Sequence, residues 1–253
     1  MMLTNVAISL RRFGASALLL TVTMQPLPGR AQTSPYPQMA SLERYLEPDA
    51  REEAALARSA APAAISKDAT VLVLTKTGYV AAATGTNGFT CLVERSWMKH
   101  FEDPDFWNWH MRAPVCYNPG ATHSILPYTV FRTNLAVKGA SKSQLLDAVK
   151  AAIANGQLPA LESGSMGYMM SKQQYLVDVA PANGVTASSW HPHVMFYEPA
   201  ADAANSGASF GANTAGSPVI FDTSGGAIEP WTVFFVPVWH WSDGSPGPVV
   251  MHH

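Results

Sequence analysis

Residues 69–94 read ATVLVLTKTGYVAAATGTNGFTCLVE, and this stretch decides the fold class. Ala69 to Thr75 is a β-branched and apolar run of strand length, bounded by turn residues. Lys76-Thr77 makes a tight connection, and Gly78 opens a second run, GYVAAAT. Asn87-Gly88 carries the two-residue hairpin signal, and Phe89 to Glu94 follows as a third strand. Three short strands in succession predict an antiparallel meander.

Downstream, Trp97 to Trp109 mixes aromatic and polar residues around Pro104 and reads as a structured loop. Pro114 to Tyr117 is a short extended piece that brings Cys116 towards Cys91. These are the two cysteines of the chain, and in an oxidising compartment an even count predicts one disulfide, Cys91–Cys116. Two buried free thiols are the alternative. Ser141 is a helix N-cap with Gln144 at the capping-box position. Leu145, Leu146, Val149, Ile153 and Leu158 form its apolar stripe, and Asn155-Gly156 ends the helix. Met166 to Ser171, Trp190 to Tyr197, Ser217 to Phe221 and Trp231 to Val238 read as further strands. Ala200 to Gly216, rich in Ala, Ser, Gly and Asn, reads as a long mobile loop.

Upstream, Ser41 to Leu46 reads as a helical turn. Asp49 caps a helix that runs to Ala60 and stops before Pro62, with Glu52 at capping-box spacing. The expected fold class is α+β: a single loop-rich domain over residues 67–253, with a mostly antiparallel β-sheet and two main helices. A lead-in and helix over 32–66 precede it.

Residues 1–31 read as a signal peptide. The first fourteen residues hold Arg11 and Arg12 and no acid, Ala15 to Met24 is apolar, and Gly29-Arg30-Ala31 places small residues where a signal peptidase cuts. Cleavage would expose Gln32. The arginine pair leaves Sec and twin-arginine routes both open. The expected location is therefore exported, periplasmic or secreted. Removal takes away Arg11, Arg12 and Arg30 and no acid, so the formal charge falls from −2 to −5. A mildly acidic chain without a basic run excludes nucleic acid as a partner. No mature segment is apolar enough to serve as a transmembrane segment. Charged residues are 13% of the chain against 18 Gly and 19 Pro, which suits a loop-rich extracellular domain rather than a cytosolic helical one.

His191-Pro192-His193 is the leading candidate for chemistry. On a strand, positions i and i+2 share a face, so both imidazoles could reach one metal. Neutral imidazole suits zinc, copper, iron and nickel, so the cofactor such a set would take is a transition metal. Glu198 and His240 complete the candidate shell. The order Gly184, His191, His193, Glu198 resembles part of the first cupin motif, which implies a small metal-holding β-barrel. The spacing after Gly184 is one residue longer than in that motif, and no glycine follows Glu198 at the usual distance. The structural alternative makes His191 and His193 surface or hydrogen-bonded core residues beside a proline.

Trp239-His240-Trp241, if it continues the preceding strand, points His240 opposite both indoles. Trp97, Trp107, Trp109, Trp190 and Trp231 add aromatic surface for a sugar or cation, or for the core. Gly207 to Gly211 matches the G-x-S-x-G pattern, with Asp222 and His240 following in hydrolase order, but no strand precedes it. Met251-His252-His253 could bind a transition metal loosely.

The segments GYVAAATGTNGFTCLVERSW, GYMMSKQQYL and WHPHVMFY are together similar to a set of uncharacterised exported bacterial proteins. The resemblance runs from about Asp68 to Trp239 and implies a single exported domain. The expected function is binding of a small molecule or protein partner through an aromatic and histidine-lined face. The alternative is a metal-dependent enzyme using His191, His193 and Glu198 or His240.

Overall fold

The computed structural model describes residues 35–176, 191–199, 219–221 and 228–248. The chain divides into two units, Met1–Gln32 and Thr33–His253, and every described residue belongs to the second. The expected signal peptide over residues 1–31, Gly184, Trp190, the stretch 200–216 expected as a loop, Asp222 and the terminal histidines lie outside the described residues.

The N-terminal part opens with a 3-10 turn, Leu42–Tyr45, and helix α1, Ala50–Arg58, whose Asp49 cap accepts from the Arg51 amide at 2.7 Å. A short helix α2, Ala63–Ser66, leads into strands β1, Thr70–Thr75, β2, Gly78–Ala83, and β3, Thr90–Glu94. Next come β4, Ala113–Tyr117, and three helices: α3, Pro119–Ser124, α4, Leu126–Ala136, and α5, Lys142–Ala154. Strands β5, Met166–Met169, β6, His193–Pro199, β7, Val219–Phe221, and β8, Trp231–Pro237, complete the described elements. They form an α+β domain around one eight-stranded sheet in the order β2-β1-β3-β4-β5-β6-β8-β7. Every neighbouring pair is antiparallel except β1 and β3.

That exception corrects the expected meander. β3 does not fold back on β2; it lies parallel to β1 on the other side, with Val71 opposite Cys91. The connection crosses the start of β1, where the Thr86 amide donates to Asp68 O at 2.8 Å and Asn87 Nδ2 to Ile65 O at 2.8 Å. A side chain at Gly85 would overlap the backbone of Asp68, Ala69 and Thr70, so only glycine lets the chain pass this close. Asn87-Gly88 therefore belongs to a crossover and not to a hairpin.

Strand parity sorts the two faces. Val71, Val93, Cys91 and Cys116 face α1, where small residues such as Ala57 and Ala60 let the helix approach. Leu92, Val115, Tyr117, Met169, Met195, Tyr197 and Trp231 face α3 to α5 and form the main core with Leu145 and Val149. Cys91 and Cys116 are directly opposed across β3 and β4 and form the expected disulfide, fully buried with Cα atoms 4.0 Å apart.

The α5 capping box forms in both directions between Ser141 and Gln144. Beside α1 and α5, the structure adds a third long helix, α4. Its inward stripe includes Thr129, Arg132 and Thr133 beside Tyr128 and Ala136, so hydrophobic periodicity does not reveal it. These polar groups find partners inside: Trp97 Nε1 donates to Thr133 Oγ1 at 3.0 Å. A second buried polar knot lies nearby, just after β3. Arg95 and Glu53, both almost wholly buried, meet at 2.6 Å, and Arg95 also donates to the carbonyls of Tyr45 and Val93. The other Glu53 oxygen accepts from the Leu74 amide. With every arm bonded, this pair ties the 3-10 turn, α1, β1 and β3 together.

Candidate functional site

The chemistry best supported by the geometry centres on Glu94, the last residue of β3. Parity puts it on the same face as Leu92, towards α4, where water is largely excluded. Tyr117 donates to Glu94 Oε1 at 2.6 Å and Thr129 Oγ1 donates to the same oxygen at 2.9 Å. Among the described residues Oε2 takes no hydrogen bond, and it is not one of the sealed, unpaired buried atoms. Glu94 itself keeps part of its surface open. One oxygen is thus fixed by two hydroxyls, and the other has no hydrogen-bond partner among the described residues.

Burial raises the Glu94 carboxyl above the ordinary glutamate value, and the bonds from Tyr117 and Thr129 and the charge of Arg132 offset only part of that rise. Burial also holds the Tyr117 phenol well above its usual value, reinforced by the Glu94 charge, so it remains a neutral donor at physiological pH. A carboxyl with a raised pKa and a fixed donor shell is suited to holding or moving a proton.

Three packing features aim these groups. Gly167 stands opposite Tyr117 in the β4–β5 register. A side chain there would come within 3.4 Å of the Tyr117 ring and 3.1 Å of Met195 Cε, so the bare glycine leaves room for the ring to lie across the sheet. Tyr197 packs beside Tyr117 with centroids 6.3 Å apart, and Trp231 meets Tyr128 edge-on at 4.5 Å. Arg132, one turn beyond Thr129, pairs with Glu229 at 2.9 Å, donates to Lys99 O at 2.6 Å and lies over the Phe101 ring. Its Nε is buried and has no hydrogen-bond partner among the described residues.

The histidine candidates lie elsewhere. β6 begins at His193, so His191 precedes the strand, and His193 Nδ1 is 2.9 Å from the His191 carbonyl oxygen. A carbonyl can only accept, so Nδ1 carries the proton. His193 is 1% exposed, packs its ring 5.1 Å from that of Phe235, and has its pKa pushed down to about 4, chiefly by burial. Burial lowers His191 as well.

Glu198 falls at the opposite parity of β6, on the face away from His193. His240 is exposed in a β-bridge with Pro246. The four residues therefore do not assemble as the expected shell. Among the described residues, no three His, Cys, Asp or Glu side chains are placed to hold a metal ion.

The tryptophans also separate. Trp97, Trp107, Trp231 and Trp241 are buried, whereas Trp239 is 85% exposed. β8 ends at Pro237, so Trp239 and Trp241 do not share a strand face. The G-x-S-x-G stretch lies outside the described residues.

Glu94 carries one signal in the sequence: it is an acid two positions from Leu92, on the face an apolar strand buries. No helix of the described residues is long and apolar enough to cross a membrane. Comparison with known proteins finds no matching family, no matching curated protein and no matching solved structure.

Proposed function

We propose that this protein is an exported bacterial domain that binds a small polar molecule at Glu94. The observation that carries the reading is the asymmetric carboxyl: Oε1 is held by Tyr117 and Thr129, and Oε2 has no partner among the described residues. An ionised carboxylate in a desolvated setting gains most from a ligand that brings a donor, so the ligand presents an N–H or O–H group to Oε2. Trp231 packs edge-on against Tyr197, which lies beside the Tyr117 ring. Export is supported by the N-terminal segment and by the buried Cys91–Cys116 disulfide, which an oxidising compartment favours.

The test is thermal unfolding of the secreted form with ethanolamine, glycerol and succinate, on wild type and Glu94→Gln. Ethanolamine or glycerol should raise the melting temperature of wild type only, more strongly as pH rises through the Glu94 titration, and succinate should not. Equal shifts in both proteins, or none in either, would overturn the reading. Mass analysis of the exported protein should find an N-terminus at Gln32; retention of residues 1–31 would overturn the export part.

A further inference from the structure

We propose that the platform built on Trp109 binds the phosphate group of a small phosphomonoester through Arg44 and His110, a second site independent of Glu94. The Arg44 guanidinium, from the 3-10 turn, lies over the Trp109 indole 3.5 Å from its centroid. The His110 imidazole packs against the same indole with centroids 3.3 Å apart, and the Tyr175 ring lies 6.1 Å from the imidazole. Trp109 is half-buried, whereas Arg44 and His110 are exposed. A guanidinium that stacks through its flat face keeps its edge N–H groups for an acceptor in the same plane.

Arg112 fixes the frame under these side chains. Its Nη1 donates to the carbonyls of Trp109 at 2.9 Å and Met111 at 3.0 Å, its Nη2 to that of Arg44 at 3.4 Å, and its Nε to Glu47. Its backbone bridges to Tyr175, each amide donating to the other carbonyl at 2.8 Å. The His110 amide donates to Oδ1 of the fully buried Asn108 at 2.9 Å. One arginine thus ties the 3-10 turn to the loop that carries Trp109 and His110. With the backbone held in this way, binding costs little conformational entropy.

Charge decides the class of ligand. Burial lowers the His110 pKa, and the charges of Arg44 and Arg112 lower it further, so both guanidinium groups lie within electrostatic reach of the imidazole. Glu47 is engaged by Arg112, and Glu43, the chain neighbour of Arg44, pairs with Lys76 at 3.1 Å. Trp109 already carries the chain's own cation, and the local excess is positive, so the ligand is an anion. A carboxylate would occupy both its oxygens on the Arg44 fork. A phosphate monoester has three terminal oxygens and a charge of about −1.5 to −2, so it accepts from the guanidinium edge and from an imidazole N–H together.

The experiment titrates the secreted protein with phenyl phosphate, and with benzoate for comparison, by calorimetry at constant ionic strength. In parallel, NMR follows the His110 imidazole, assigned with His110→Asn. Phenyl phosphate should bind wild type and Glu94→Gln alike, more tightly than benzoate, and raise the His110 titration midpoint by about half a unit or more. Arg44→Ala should keep the wild-type melting temperature, bind about tenfold or more weakly and lose that rise. Its ligand-free His110 midpoint should move up, because one depressing charge is gone. Arg44→Lys keeps the charge without the flat fork and should also bind more weakly than wild type. No saturable binding at tens of millimolar phenyl phosphate, equal binding by Arg44→Ala, or an unmoved His110 midpoint would overturn the proposal. Benzoate binding as tightly as phenyl phosphate would overturn the ligand class. Loss in Glu94→Gln alone would place the anion at the first site and would equally overturn it.

Discussion

The phenol of Tyr117 donates to Glu94 Oε1 across 2.6 Å, although these residues stand four register positions apart on paired strands. Leu92 and Val115 pair between them on the same face, and the bond opposes the burial that raises the Glu94 pKa. Tyr117→Phe removes that donor and should raise the Glu94 pKa further, as followed by carboxyl carbon NMR. The stability cost should be about 1 kcal/mol, the net worth of one such bond. A raised folded pKa means the native state holds this proton more tightly than the unfolded chain. The associated stability is complete below the unfolded glutamate value and is lost as pH rises through the folded one. Glu94→Gln should remove that loss. An unchanged Glu94 titration in Tyr117→Phe would show that the hydroxyl does not govern the carboxyl.

His193 acts with the opposite pH trend. Its folded pKa, pushed down to about 4 from 6.5, keeps it neutral inside while the unfolded chain takes up a proton. Stability from this residue is complete above 6.5 and is lost as pH falls through the folded value, by up to about 3 kcal/mol. Urea unfolding across this range should show the loss, and His193→Gln should flatten it. A variant that retains the full acid slope would assign the slope to other groups.

The Cys91–Cys116 bond should leave no titratable thiol in the unreduced protein. Replacing both cysteines by alanine should cost about 3 kcal/mol, the chain-entropy value for a loop of this size, with a cavity contribution beneath α1 in addition. Thiol titration and denaturant midpoints check both parts. Two reactive thiols in the oxidised protein would contradict the buried bond.

The elements legible along the chain are those set by short-range chemistry. The α1 and α5 caps, the apolar runs that became β1, β3 and β8, and the glycine that ends α5 act within a few residues, so their patterns are visible along the chain. The cysteine pair was legible because composition left one pairing within the chain.

The order of strands and the site depend on contacts between segments distant in sequence. β3 runs parallel to β1 because Gly85 lets two backbone segments touch, a contact that no periodicity encodes. Helix α4 escaped because its buried stripe carries Thr129, Arg132 and Thr133, whose partners lie on other elements. His191 and His193 stay in contact through the His193 ring and the His191 carbonyl, but strand parity puts Glu198 on the other face of β6. Glu94, Tyr117, Thr129 and Tyr197 are far apart in sequence and meet on one face of the sheet. Burial there, which depends on every element packed over that face, gives an ordinary glutamate its raised pKa.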